Sequence, residues 1–349
     1  MIEVSHPVAP VQSQEVNPIT RQDEHETLET LFQNVDLNLA ETQARECFHT
    51  TGPGRPPRNP LGLLRAFIVM RMKEIRSLRE LSRTLNVDQR IRKLCLIEED
   101  ERGYPRSVLS RFTKLVGAER LSRIIDEKVI MLLRRSDVRE VDVVLDASFI
   151  KAWSIRHPMD NRTGFSDPDA MVGRHGRGYD LGYKLHVSLD PQRILPLTCV
   201  LAPANDNEKK HGPTLVERTK QILRKAGVKL RRLIADSQYS SGKMRDLVDE
   251  AVIPFMSNQR RGENVLRVDR KFRTHGPEEE RAEYHKRPAV EAAYAFLKTQ
   301  YGMKVNKVRG LGRVAVYALY SVLCHVLTRE AAENMGRPDK AVSPTFFNT

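Results

Sequence analysis

At 349 residues with 40% hydrophobic content, the chain is long enough for two domains with ordinary buried cores, although aromatic residues are sparse at 6% and include one tryptophan. A formal net charge of +13 and a pI of about 9.7 make a polyanion a better-matched partner than a neutral metabolite, though ribosome or membrane binding would give the same charge. Cys47, Cys95, Cys199 and Cys324 are far apart and form no C-x-x-C pair, which argues against a disulfide framework or structural zinc and for isolated thiols in a reducing compartment.

Residues 1–50 carry nine acidic side chains against Arg21 and Arg45, a net of −7 that leaves +20 on the remainder, so a discrete basic surface is favoured over a uniform coat. No apolar core follows a basic start, so no secretory signal is read and a cytoplasmic protein is expected. The Pro/Gln/Val-rich lead is expected to be disordered to about residue 25, before a short helix through Leu28, Leu31, Phe32 and Val35. The glycines and prolines from Gly52 to Pro60 form a break that no helix or central strand crosses, which closes a first segment at residue 51.

Residues 52–136 read as an all-α domain. Leu61, Leu64, Phe67, Ile68 and Met72 form one apolar stripe, and Ser77-x-x-Glu80 is a capping box opening a helix with Leu78, Leu81 and Leu85. Ser107 is placed as the cap of a short helix through Val108, Leu109, Phe112 and Leu115. A longer helix follows from Ala118, with Leu121, Ile124, Ile125, Val129 and Leu132 inside. Between Arg55 and Arg139 there are 21 basic and 11 acidic side chains, a charge that fits a solvated bundle as well as a DNA-binding face.

At Val138 the period changes. Val141 to Asp146 reads as a buried strand ending in a carboxylate, and Tyr183 to Leu189 alternates at period two, turning through Asp190-Pro191-Gln192 into Ile194 to Val200. Pro213 is expected to open a helix reaching Ala226, with Gly227 as its C-cap. Leu230 to Ala235 is the next strand, again ending in a carboxylate, Asp236. A short helix from about Lys243 to Glu250 leads to Val252–Met256. Taken singly, an aspartate closing a strand is most simply a turn residue. The apolar segment Leu311 to Leu327, interrupted by Gly312 and Arg313 and containing His325, reads as a core helix and not a membrane span. A second domain is bounded at 138–331, with 332–349 as a tail.

A helix enters at Pro288, because proline fits the first helical position. Glu291 then lies in the first turn and Lys298 two turns later on nearly the same face, with Tyr294 and Ala295 between them and Val290, Ala293, Phe296 and Leu297 available for burial. From spacing alone this is equally an amphipathic helix with a surface ion pair.

Tyr284-x2-Arg287-x3-Glu291-x6-Lys298 resembles the Y-R-E-K signature of the DDE transposases of bacterial and archaeal insertion sequences. Gly182-Tyr-Lys-Leu-His resembles that family's G-Y-K-x-H strand, Arg309-Gly-Leu the start of its last helix, and the R-P-P, S-L-R-E-L and S-x-x-S-R-F stretches its N-terminal helical domain. The resemblance spans roughly residues 52 to 330. It implies an α/β, ribonuclease H-like catalytic domain with a mixed sheet in the order βββαβαβα, preceded by a helix-turn-helix-like domain. It assigns Asp146, Asp236 and Glu291 as catalytic metal ligands for Mg²⁺, with Mn²⁺ as substitute and two ions expected. Two such ions, about 3.5–4 Å apart, can activate the attacking oxygen and stabilise the leaving one.

The resemblance also implies phosphate contacts at the transposon end for Tyr284, Arg287 and Lys298, and DNA reading by the helical domain, with Arg106, Arg111 and Lys114 as candidates. The expected partners are double-stranded DNA, as element ends and target, and a second copy in a dimer on DNA; no membrane is expected, and the location is cytoplasmic at the nucleoid. The implied activity is metal-dependent cleavage at inverted repeats and transfer of the 3′-hydroxyl ends. Its alternatives are a nuclease of the same fold without strand transfer and a non-catalytic, transposase-derived DNA-binding protein. The basic stretch from Arg260 to Arg313, with 14 basic and seven acidic residues, is placed over the duplex. Only 55 positions separate Asp236 from Glu291, which excludes a large inserted domain. Asp142 is set aside as a ligand because it lies at the strand's start, and Ala204 to Glu208 is read as a structural loop. The spacing of His157, His175 and His186 matches no zinc pattern, and Trp153 is placed in the core.

Overall fold

The computed structural model describes residues 27–48, 58–255, 277–304 and 307–347. Residues 52–57 of the expected break, the lead through residue 26, Met256, and residues 260–276 and 305–306 of the basic stretch lie outside the described residues.

The N-terminal helices are α1 (Leu28–Gln33), α2 (Asn38–Arg45), α3 (Pro60–Met72), α4 (Leu78–Val87), α5 (Gln89–Leu94) and α6 (Arg106–Arg135). The α4 start is set by its capping box: Ser77 Oγ accepts from Glu80 N at 3.2 Å, and the Glu80 carboxylate accepts from Arg76 N at 3.0 Å. Ser107 does not cap a helix. Pro105 is the N-cap of α6, and the two helices expected before and after residue 117 are both present within it, meeting at a kink at Gly117, whose φ of 64° only glycine adopts without strain.

The sheet follows as β1 (Glu140–Lys151), β2 (Met171–His175), β3 (Gly178–Asp190) and β4 (Leu195–Pro203), then α7 (Glu208–Ala226), β5 (Lys229–Ala235), α8 (Gly242–Asp246) and β6 (Ala251–Val252). The chain continues through α9 (Glu278–Tyr284), α10 (Pro288–Thr299) and α11 (Leu311–Asn334). β1 pairs antiparallel with β3 and parallel with β5, and β5 pairs parallel with β6, so the sheet is mixed, as expected.

Several details depart from the sequence reading. β1 continues five residues past Asp146 because it stays paired with β3 as far as Lys151↔Gly182. β2 is an additional strand, paired along Gly178–Gly182 of β3. α7 starts at Glu208, where Asn207 accepts from Lys209 N at 3.0 Å, and it carries Pro213 inside. The proline is tolerated there at the cost of the bond its missing N–H would give the Lys209 carbonyl. α8 is only five residues long and β6 two.

α11 is the axis of the core. It is long and apolar enough to cross a membrane by composition alone, yet it is buried within the fold. Its N-terminus is held by two carboxylates: Asp167 Oδ1 accepts from Gly310 N and Asp169 Oδ2 from Leu311 N, both at 2.9 Å, where a helix favours negative charge. On one side lies α3, whose buried Arg71 donates to the Tyr317 and Gly302 carbonyls. On the other, His325 reaches Ile194 before β4 at 2.7 Å. Buried apolar residues of the helices and of the sheet form one continuous cluster.

Candidate active site

The parallel pairing of β1 with β5 ends at Leu145↔Ala235, so the next residue on each strand is an aspartate, Asp146 and Asp236. Adjacent parallel strands in register present their following side chains at one carboxyl edge, the place where open α/β sheets hold ligands. Asp236 also caps the turn after β5, accepting from Gln238 N at 3.0 Å.

Arg287, the residue before α10, lies across this edge. Its Nη2 is 3.2 Å from Asp146 Oδ1 and 4.0 Å from Asp236 Oδ2, and its side chain is only 10% exposed. Burial works against the Arg287 charge, but Asp146, Tyr284 and Asp236 more than offset it and hold the guanidinium protonated. Burial raises the Asp146 carboxyl above its usual range, and the shared guanidinium offsets this only in part.

Helix α10 carries the remaining groups. Glu291 is exposed one turn after Arg287, and its charge bears on Asp146. Tyr294 is buried, its hydroxyl shared between the Asp146 carbonyl at 2.7 Å and the Leu185 carbonyl at 2.9 Å. Lys298 is half-buried and its ammonium is pushed below its ordinary value by burial, against the pull of Asp146. The ion pair with Glu291 allowed by the spacing is not formed among the described residues. Arg287, Glu291, Tyr294 and Lys298 therefore form one stripe facing β1, in which Tyr294 is the member that sequence reasoning passed over; its position between Glu291 and Lys298 was the available signal.

Two residues expected at DNA phosphates are turned inward. Tyr284 is 1% exposed, with its hydroxyl 3.1 Å from Arg287 Nη1, and Arg287 is engaged with the two aspartates. The signature gives residue types at helical spacing, but the packing of α9 on the sheet decides which way they face. Asp142 is buried and paired with Arg231 and Lys286 at 2.6 and 2.5 Å, so its carboxylate is already satisfied away from this edge. Trp153 is not in the core: it is 50% exposed. His157 accepts from Met159 and Asp160 N–H groups, His175 stacks on Phe149, and His186 pairs with Tyr239. Arg106, Arg111 and Lys114 are exposed along the start of α6 and pair with no carboxylate among the described residues.

A family model described as a transposase DDE domain matches residues 139–327, more than half of the chain. The chain is a member of the DDE transposase family. A second model, described as a transposase domain (DUF772), matches residues 17–115. No curated protein matches the chain. Among solved structures it is similar to the piggyBac transposase of a synaptic complex with hairpin DNA, at TM-score 0.46 and 11% identity over 94% of this chain and 80% of that one. It is also similar to the Mos1 transposase of a paired-end complex with the left transposon end, at TM-score 0.21 and 14% identity over 59% and 61%. At these scores neither adds to the fold assignment, which rests on the family and the mixed sheet: the transposase has a ribonuclease H-like catalytic region.

Transposases of this family generally use divalent metal ions. Among the described residues, no group of three or more His, Cys, Asp or Glu side chains is gathered as a ready metal cage. The donor chemistry nevertheless fits a hard cation at the strand edge, because Asp146 and Asp236 offer oxygen only and one guanidinium leaves part of the Asp146 desolvation uncompensated.

Proposed function

We propose that the transposase cuts DNA at the inverted repeats of an insertion sequence and transfers the 3′-hydroxyl ends to target DNA, with Asp146, Asp236 and Glu291 as its catalytic carboxylates. The observation that carries this reading is the register of β1 with β5, which sets two aspartates side by side at the sheet's carboxyl edge under a shared arginine. Mg²⁺, or Mn²⁺ in its place, held as two ions by these carboxylates, would supply activation of the attacking oxygen and charge stabilisation at the leaving one.

The chain's own residues orient this chemistry. Arg287 holds a positive charge between the two aspartates before DNA arrives and favours the ionised form of Asp146 against burial. Tyr294 ties α10 to β1 at Asp146, on the helix whose Glu291 charge bears on that aspartate. Lys298, partly dehydrated on the same stripe, would donate to a DNA phosphate, whose negative charge favours the ammonium form against burial. Arg106, Arg111 and Lys114 would contact the DNA backbone from the helical region, residues 52–136. Joining two ends calls for a dimer on DNA.

The test uses the gene-flanking duplex with Mg²⁺ or Mn²⁺, wild type beside Asp236→Asn. Metal-dependent cleavage at a defined end, followed by joining to target DNA and absent in the variant, is expected. Hydrolysis without joined products would replace this reading with that of a nuclease, and binding without cleavage in either protein would remove the enzymatic claim.

A further inference from the structure

Away from the carboxylates, a groove of about 470 Å³ runs between the helical region and the sheet region. Among the described residues, its walls carry six basic side chains, Arg76, Arg79, Arg106, Lys307, Arg309 and Arg313, and no acidic one. All six are exposed, and none pairs with a carboxylate among the described residues. Each wall comes from a different element: the start of α4, the start of α6, the loop after β1 and the approach to α11. Concentrating like charge in a concave surface is unfavourable for the protein alone and favours an anion there.

Trp153 lines this groove half-exposed. Its position is fixed: Arg309 Nε donates to the Trp153 carbonyl at 2.9 Å, and Lys307 Nζ stands over the indole at 5.6 Å from the ring centre. Exposing half of an indole costs hydrophobic stabilisation that burial would have supplied. Unpaired cations along a groove with an aromatic ring set among them combine the two contacts an unpaired nucleic-acid strand makes, phosphates on cations and a base on a π-face. Inside a duplex both faces of every base are covered by its neighbours, so this ring can stack only on a base that is unpaired or at an end. β1 links the two places: from Asp146 to Lys151 it spans about 17 Å at strand rise, and Trp153 lies just beyond.

We infer that this groove is a single-strand site, in which Trp153 stacks on an unpaired base of the DNA while the six cations track its phosphates. The inference rests on the reading of the chain as a DNA-acting transposase and adds the strand state that this surface takes. Trp153 is the sole tryptophan of the whole sequence, so the protein reports its own occupancy.

Oligo(dT) titrated into the full-length protein should quench the tryptophan fluorescence, with an affinity that falls as salt rises. Trp153→Ala should weaken oligo(dT) binding, followed by anisotropy of a labelled oligonucleotide, by about tenfold. Arg313→Glu keeps the fluorophore and should lose most of the quenching, so the test survives a misfolded tryptophan variant. Asp236→Asn should quench as wild type does, which separates this site from the chemistry: failure of quenching with cleavage intact overturns the inference alone, whereas absent cleavage in the wild type bears only on the proposed reaction. Oligo(dT) binding without quenching, or equal quenching by the interior of a circular duplex, would overturn it.

Discussion

The hydroxyl of Tyr294 lies 2.7 Å from the backbone carbonyl of Asp146, so the helix that carries Glu291 is tied to the strand at Asp146 itself. The same hydroxyl is 2.9 Å from the Leu185 carbonyl on β3, which makes it a common anchor for two strands and one helix. Tyr294→Phe keeps the ring in the core and removes only this donor. It should cost about 1–3 kcal/mol by leaving a buried carbonyl short of a partner. Because α10 would then be free to rotate, single-turnover cleavage should fall by more than DNA affinity does. Unchanged cleavage in a destabilised variant would show that the anchor serves stability alone.

Arg287 makes a second prediction, with a readout that does not depend on DNA. Its guanidinium is the cation that Asp146 and Asp236 share, and all three side chains are largely buried. Arg287→Gln leaves two neighbouring carboxylates without it and should destabilise the transposase by roughly 3–5 kcal/mol in the absence of divalent ions. Mn²⁺ should then raise the melting temperature of the variant by more than that of wild type, because the ion replaces the missing charge. Equal Mn²⁺ shifts in the two proteins would count against these carboxylates as the metal site.

His325 gives the pH dependence of stability. Burial pushes its imidazole down from 6.5 to about 4, its Nε2 is 2.7 Å from the Ile194 carbonyl, and its buried Nδ1 has no partner. The folded value lies below the unfolded one, so between them the unfolded chain binds a proton that the folded chain refuses. The contribution is therefore complete above pH 6.5 and is lost as pH falls toward 4, by about 3 kcal/mol in total. Urea unfolding at a series of pH values should show this slope, and His325→Gln should reduce it, leaving the share of His186, which burial likewise pushes down to about 3. An unchanged slope in the variant would assign the acid loss elsewhere.

The elements that could be read from sequence are those whose signal is local. Ser77 and Glu80 reveal a helix start, Pro288 another, and the apolar runs before Asp146 and Asp236 reveal the strands whose register places both carboxylates. What could not be read was set by distant parts of the chain. β2 includes Gly173, which passes so close to the Ala204 carbonyl that a Cβ would lie 2.0 Å from its oxygen, and no run of residues 171–175 announces that approach. Trp153, expected in the core, is half-exposed for the same reason: residue type states what a side chain can do, and packing states whether solvent can reach it.

The final prediction concerns how the helical and sheet regions unfold. Lys128 on α6 and Glu330 on α11 form a buried pair, with Lys128 Nζ 2.9 Å from both carboxylate oxygens, and both groups also bond the Asp36 backbone before α2. Replacing Lys128 with Met leaves Glu330 buried without its cation and should cost roughly 3–5 kcal/mol. The double variant Lys128→Met, Glu330→Leu removes both charges and should recover most of that loss, since an apolar pair of similar size is no worse than a buried ion pair. Because the pair sits inside a core continuous from the helices to the sheet, wild type and both variants should each unfold in one transition, seen identically by circular dichroism and by Trp153 fluorescence. Two separated transitions in the single variant would mean that Lys128 and Glu330, and not the apolar core, hold the two regions together.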